Sequence, residues 1–208
     1  MTLTEDVVSS LFSAAQSGDL EGARGALQSG ADVNAPNAYG VTPLIEAAGN
    51  GQMEMARFLL ENGADVDYTG MREGSPLMLV AYMGQDDFVK LFLEHGANVN
   101  LSMPGPGETA LHMAAVTGKT ATVRLLLDAG ADPNRTLNCG VSTDMFSGGV
   151  KVWGETPLHY AAAYGDEEVI RLLLDAGADP RVENAHGERP LAYAGRHHRP
   201  KSVLNLLK

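Results

Sequence analysis

The sequence is poor in cysteine and in long apolar runs. Cys139 is the one cysteine among 208 residues, which excludes an intrachain disulfide. No stretch approaches the roughly 18–20 apolar residues of a membrane-spanning helix. The first residues, MTLTEDVVSSLFSAAQSGD, lack the basic region and the long apolar run of a secretory signal. We therefore expect a soluble, cytoplasmic protein that does not bind a membrane.

Positive charge is scarce as well. The chain has 26 acidic and 15 basic residues and a formal net charge of −11. Most of such a surface would repel a phosphate backbone, so nucleic acid is not an expected partner. The segment from Arg189 to Lys208, however, contains bases and no acid. It fits a polar end cap or a basic contact patch, and both interpretations stay open.

The sequence does have internal repetition, marked by two motifs. Segments of the GADVN type recur in steps of 33, 33, 34 and 47 residues, beginning at Gly30, Gly63, Gly96, Gly130 and Gly177. A Thr-Pro-Leu type of segment runs in phase with them, beginning at Thr42, Ser75, Thr109, Thr156 and Arg189. Two markers at one period indicate a stack of similar units, none of which buries its apolar face alone.

Each unit predicts two helices followed by a turn-rich connection. Thr42 can cap a helix with its hydroxyl, and the proline after it suits the first helical position. Paired alanines, such as Ala47 and Ala48, allow a neighbouring helix to approach closely. We expect the first helix of the central units to end in a left-handed glycine, at Gly51, Gly84, Gly118 and Gly165.

The units resemble ankyrin repeats, as in GETPLHYAAAYGDEEVIRLLLDAGADP at Gly154–Pro180, and the resemblance covers nearly the whole chain. It implies a mainly all-α solenoid of stacked helix pairs with β-hairpin fingers, one of them extended by an insertion. It also implies a protein–protein interaction module that binds through the concave face of the first helices and through the finger tips. The expected single domain comprises a capping repeat at 1–36, repeats at 37–69, 70–103, 104–136 and 151–183, an inserted finger at 137–150 and a second capping repeat at 184–208.

The insertion lies between Gly130 and Thr156, where the 47-residue step exceeds the period of 33 by 14 residues. Alternating side chains in Val141–Phe146 and Val150–Trp153 predict an extended hairpin around two central glycines. A surface loop tolerates such an insertion at little thermodynamic cost. We favour a finger that contacts a partner, because unusual loops on rigid scaffolds often carry function.

Alignment by the period defines candidate contact columns. Each column is a set of equivalent positions in successive repeats. The first column lies just before the turn glycine near the finger tip. The second lies before the glycine that ends the first helix, and the third follows the histidine of TALH and TPLH. Aromatic residues and arginine in these columns are the types enriched in binding hot spots. The expected partner-binding residues are Tyr39, Arg72, Tyr82, Met83, Met113, Trp153, Tyr160, Tyr164 and His186, together with Asp144, Met145 and Phe146 of the insertion.

Nothing in the sequence indicates catalysis, a metal site or a cofactor. The resemblance implies structural hydrogen bonds for His112 and His159, the fourth residues of TALH and TPLH. The adjacent His197 and His198 do not share one side of a helix as ligands four residues apart do. Cys139 has no cysteine partner and no motif that places a base beside it. We therefore expect a protein that is not an enzyme and that uses no cofactor.

Three classes of function remain. The leading hypothesis is a monomeric interaction module, an inhibitor or a scaffold, whose protein partner has a basic surface complementary to the acidic chain. A ligand-binding protein or enzyme that uses the finger at 135–153 as a lid is the first rival, and it needs polar groups that converge near Asp144, Lys151 and Cys139. The second rival is a structural protein that self-associates through the groove or through the basic C-terminal cap.

Overall fold

The chain folds into helix pairs stacked in chain order. The computed structural model describes residues 3–70, 74–143 and 150–208, with side chains for all of these except 3–5, 143 and 150. The first helices of the units are α1 (Leu3–Ser17), α3 (Pro43–Gly49), α5 (Pro76–Met83), α7 (Ala110–Val116), α9 (Pro157–Tyr164) and α11 (Pro190–Arg196). The second helices are α2 (Leu20–Gln28), α4 (Met53–Glu61), α6 (Asp86–Glu94), α8 (Thr120–Asp128), α10 (Glu167–Asp175) and α12 (Lys201–Leu206). Consecutive first helices pack on one another, which confirms the predicted solenoid.

The first helices begin as the sequence predicts. The Thr42 hydroxyl accepts the backbone N–H of Ile45 at 3.4 Å, with proline at the first helical position. At α9 the hydroxyl of Thr156 lies 2.9 Å from Nδ1 of His159, and the same Nδ1 accepts the Thr156 N–H at 3.1 Å. Nε2 of His159 lies 3.0 Å from the carbonyl oxygen of Glu188 in the following unit. The structural role expected for this histidine is confirmed.

The ends of the first helices agree with the prediction at three glycines and differ at the fourth. Gly51, Gly84 and Gly118 have φ of 72°, 73° and 67°, the left-handed conformation. Gly165 instead has φ −76° and ψ 167°, so the expectation of a left-handed ending there is wrong. The guanidinium of Arg199 donates to the carbonyl oxygens of Ala163 and Gly165, and it satisfies the end of α9 in place of a backbone turn.

One continuous apolar core runs along the stack, from Leu11 in the first unit to Leu207 in the last. The paired alanines of the first helices, such as Ala47 and Ala48, are fully buried, as close helix packing requires. Phe92 of α6 is among the largest fully buried side chains. Because each unit contributes to a shared core, stability is distributed over neighbouring units.

A ladder of side-chain hydrogen bonds joins the turns of neighbouring units. The Asn34 amide donates to the carbonyl of Gly63 at 3.1 Å and accepts the N–H of Asp65 at 2.7 Å. Asn100 and Asn134 make the same pair of bonds at two later junctions. Asparagine suits this position because one amide supplies both a donor and an acceptor.

The exception in this ladder is Asp67. Its carboxylate accepts the N–H of Asn98 at 2.9 Å, but it has no donor for the carbonyl of Gly96. Replacing Asp67 by asparagine is therefore expected to raise the free energy of unfolding by about 1 kcal/mol. The urea midpoint measures the change, and Asn100→Asp, the reverse substitution, should lower stability by a similar amount. Unchanged midpoints in both variants would contradict this interpretation of the ladder.

The inserted finger contains a short two-stranded sheet. Strands β1 (Val141–Thr143) and β2 (Val150–Val152) pair antiparallel with Val141 opposite Val152. This confirms the predicted hairpin over those residues, whereas Asp144, Met145 and Phe146 lie outside the described part of the chain. The other described fingers contain no named strand: Gly70 and Gly74 form an isolated bridge, and a turn bond from Asn37 N–H to the Val41 carbonyl at 2.8 Å closes the first finger.

Three arginines of the C-terminal cap bind groups within the chain. Arg189 pairs with Glu183 at 2.9 Å and Arg196 with Glu188 at 2.7 Å, while Arg199 binds the end of α9. These contacts support a capping role for the segment over a free basic patch. His198, at the position of the missing glycine, is left-handed with φ 52°.

Candidate functional site

The candidate site is the exposed surface of the first helices, called here the first-helix face. Within the described residues, the exposed large apolar side chains include Tyr82, Met83 and Tyr164, with 41%, 39% and 54% of their surfaces exposed. Tyr82 and Met83 end α5, and Tyr164 ends α9. Tyr164 also contacts the ring of His197, whose centroid lies 4.7 Å away. The face is continuous because α5, α7, α9 and α11 pack side by side.

Two residues expected on this face are buried. Met113 is 0% exposed and belongs to the core, because its position on α7 points between neighbouring helices. Tyr160 is 8% exposed, because Leu137 and Val152 of the inserted finger pack against it. The expectation that these two side chains are presented to a partner is therefore wrong.

The base of the inserted finger is fixed to the scaffold. Leu137, Val152 and Tyr160 form a small apolar cluster against Val116 at the end of α7. Two backbone bonds join this finger to its neighbours: Asn138 N–H donates to the Pro106 carbonyl at 2.8 Å, and Ala185 N–H donates to the Trp153 carbonyl at 2.7 Å. The insertion therefore starts from a well-held platform on the first-helix face.

The finger tips differ in how far they reach solvent. Tyr39 is 79% exposed, and Asn37 accepts its backbone N–H at 2.9 Å. Trp153 is half-buried, and its ring lies 4.5 Å from that of His186, which is exposed. The structure thus brings Trp153 and His186 together and leaves Tyr39 apart. Arg72, also expected to bind a partner, lies outside the described residues.

A buried carboxylate holds the finger base to the last repeat. Glu155 is 5% exposed, and its two oxygens accept the Tyr193 hydroxyl and the Trp153 N–H, each at 2.6 Å. Burial, together with the hydrogen bond to Glu155, raises the pKa of Tyr193, so the phenol remains a donor. The sequence analysis missed this group. The signal was a glutamate before the threonine in both GETALH and GETPLH, and Glu108 at the equivalent place is buried as well.

The acidic charge of the chain lies largely away from the first-helix face. Across α3, α5, α7, α9 and α11, Glu46 and Arg196 are the only Asp, Glu, Lys or Arg residues. Acidic side chains are instead frequent on the second helices, among them Glu21, Glu54, Glu61, Asp86, Asp87, Glu94, Asp128, Glu167, Glu168 and Asp175. From α3 to α11 the first-helix face is therefore a nearly uncharged surface with aromatic and apolar groups.

An open cleft of about 720 Å³ lies at the N-terminal end of this face, and the sequence analysis did not foresee it. Residues of α1, of the first finger and of α3 line it.

No helix in the described part of the chain has the length and the apolar character needed to cross a bilayer. The site offers contact area and hydrogen-bonding groups, which suit it to binding.

Comparisons with known families agree with this architecture. A family model described as ankyrin repeats in three copies matches residues 69–137. A second, described as ankyrin repeats in many copies, matches residues 11–60, 111–174 and 158–207. Among proteins with curated functions, none matches the chain. The matches of the second model extend over more than half of the sequence, and with the stacked helix pairs they show that the chain belongs to the ankyrin repeat family.

Proposed function

We propose that the chain binds a partner protein through the first-helix face, with Tyr82, Met83 and Tyr164 as apolar contacts. Ankyrin repeats are generally protein–protein interaction modules. The observation that carries the proposal is the exposure of these three large side chains on a nearly uncharged face. Tyrosine and methionine at such positions bind through large apolar area, and the tyrosine hydroxyl adds a polar contact. The partner is either blocked by the chain, as by an inhibitor, or held by it, as by a scaffold.

The inserted finger is proposed to contact the side of the same partner. Its base packs on Val116 and Tyr160 and is bonded to both neighbouring fingers, which supports a preorganised arrangement. A preorganised finger loses little conformational freedom on binding. Tyr39 and Trp153 are proposed as further contacts at the finger tips, and His186 as the ring that supports Trp153.

Capture of the partner from extract of the native cell tests the role of the finger. Val141–Lys151 is replaced by an Asn-Gly turn, which keeps Leu137 and Val152 and therefore the finger base. Loss of a specifically captured protein with this variant would locate the contact in the finger. Equal capture by both forms would confine the contact to the helices, and absence of specific capture by the intact chain would contradict the proposed function.

A double substitution tests the first-helix face. Tyr82→Ala combined with Met83→Ala is expected to weaken binding of the captured partner about tenfold, because the pair supplies apolar area at the centre of the face. Arg57→Ala combined with Glu61→Ala, on exposed positions of α4, is the matched control and should leave the affinity unchanged. Isothermal titration measures both. Equal affinities for the intact chain and for the Tyr82/Met83 variant would show that the face is not the contact surface.

We also propose that the free chain is a monomer. Arg189, Arg196 and Arg199 of the C-terminal cap bind groups within the chain, which leaves less basic charge available to drive a salt-sensitive dimer. The mass in solution at low and at high salt distinguishes this state from self-association.

A further inference from the structure

The cleft at the N-terminal end of the first-helix face has walls of mixed character. Val8 and Phe12 of α1 form one wall, and Pro36 and Asn37 of the first finger form another. The finger wall is fixed, because Asn37 Oδ1 accepts the N–H groups of Tyr39 at 2.9 Å and Val41 at 3.1 Å. The volume of the cleft, about 720 Å³, falls within the range of about 300–1,000 Å³ that is typical of ligand-binding pockets in proteins.

Among the side chains that the structure describes, Glu46 is the one charged group that lines this cleft. Glu46 stands in the first turn of α3, and Asn50 orients it by donating to its Oε1 at 3.0 Å. None of the ion pairs formed among the described residues includes Glu46. It is also the only acidic residue of the first helices α3 to α11. The cleft therefore places an oriented carboxylate beside the apolar side chains of Val8, Phe12 and Pro36.

We propose that this cleft binds an arginine or lysine side chain presented by a protein partner. The methylene stem of such a side chain packs against Val8, Phe12 and Pro36, while its charged head pairs with Glu46. Arginine fits best, because a guanidinium forms two parallel bonds to a carboxylate and stacks on an aromatic ring such as Phe12. An apolar side chain would leave the carboxylate without a cation, and an acidic one would be repelled by it.

The inference rests on the proposed function and makes it more specific. The rest of the first-helix face offers apolar contact. In this cleft, one cationic side chain of the partner would pair with Glu46, and this pairing would set where the partner lies along the face. The expected charge complementarity between chain and partner is then located at Glu46, away from the acidic second helices.

A titration of the intact ¹⁵N-labelled chain with Nα-acetyl-L-arginine N-methylamide tests the cleft without any partner. We expect saturable shifts of the amides of Phe12, Asn37 and Glu46 at millimolar probe. The norleucine analogue, which lacks the charge, should bind about fivefold more weakly. Glu46→Gln should weaken the arginine probe by a similar factor, and Glu54→Gln on the exposed side of α4 should have no effect. Thermal unfolding of both variants confirms that they fold.

Two results would overturn the inference: absence of saturable shifts around the cleft, or equal binding of the arginine probe by Glu46→Gln and the intact chain. Neither result contradicts the proposed binding of a partner by the first-helix face, because partner capture that depends on Tyr82 and Met83 is measured separately. Conversely, a cleft that binds arginine in a chain that captures no protein would retain the cleft and contradict the proposed function.

Discussion

Replacing Glu155 by alanine is expected to lower the free energy of unfolding by about 3 kcal/mol, since two hydrogen bonds to a charged acceptor are lost together. The carboxylate is 5% exposed and accepts the Tyr193 hydroxyl and the Trp153 N–H. Without it, two partly buried donors lack their acceptor. Because Trp153 belongs to the inserted finger and Tyr193 to the last repeat, the loss should loosen the junction between them.

Urea denaturation followed by tryptophan fluorescence measures this effect at the affected junction, because Trp153 is the only tryptophan. Tyr193→Phe removes one of the two bonds and should cost about half as much. Glu155→Gln retains an acceptor oxygen and should fall between alanine and the intact chain. A Glu155→Ala variant as stable as the intact chain would show that the buried carboxylate does not hold the finger base.

The second large effect is a loss of stability in mild acid. Burial lowers the pKa of His112 from 6.5 to about 3, and its Nδ1 accepts the Thr109 N–H at 3.3 Å, which requires the neutral ring. Between these two pKa values the unfolded chain binds a proton that the folded chain does not. Stability from this group is therefore complete above pH 6.5 and decreases as the pH falls, by about 2 kcal/mol at pH 5. Burial lowers the pKa of His159 as well, which adds to the loss.

Urea midpoints between pH 7 and pH 5 measure the slope, and His112→Asn should reduce it, although that variant is less stable at pH 7. The ring resonances of His112 provide a check that needs no substitution. They should remain those of a neutral imidazole at pH 5. A His112 ring that titrates near pH 6.5 would contradict this explanation.

The period and its capping chemistry were predictable from the sequence. The helix starts at Thr42 and Thr156, the left-handed glycines at Gly51 and Gly84 and the hairpin strands follow from local rules, which involve residues within a few positions of one another. In a repeat protein the same local pattern occurs in several units, so it can be recognised even where one unit deviates from it.

Features that depend on distant partners were not predictable in this way. Gly165 differs from its equivalents because Arg199, in the next unit, binds the carbonyls at the end of α9. Tyr160 is buried because the insertion packs against it, and the periodic alignment contains no information about an insertion. The positions equivalent to Met113, such as Glu46 and Leu79, are half-buried, and the alignment does not show the packing that buries Met113 completely.

The net charge of the chain was predictable from the sequence, but the distribution of the charged side chains over the folded surface was not. The net charge of −11 suggests an acidic surface that attracts a basic partner, but the first helices α3 to α11 contribute only Glu46 and Arg196. The cleft beside Glu46 combines residues of α1, a finger and α3 that are up to 38 positions apart, Val8 to Glu46. Only the fold brings them together.

Site-specific photo-crosslinking in the native cell tests whether the first-helix face contacts a partner protein. The crosslinker p-benzoylphenylalanine is placed at Met83 on the first-helix face or, as a control, at Lys90 on the exposed side of α6. We expect a covalent adduct with one partner protein from position 83 and none from position 90. An adduct from position 90 alone would contradict this expectation, and an adduct of position 83 with a second copy of this chain would establish self-association instead.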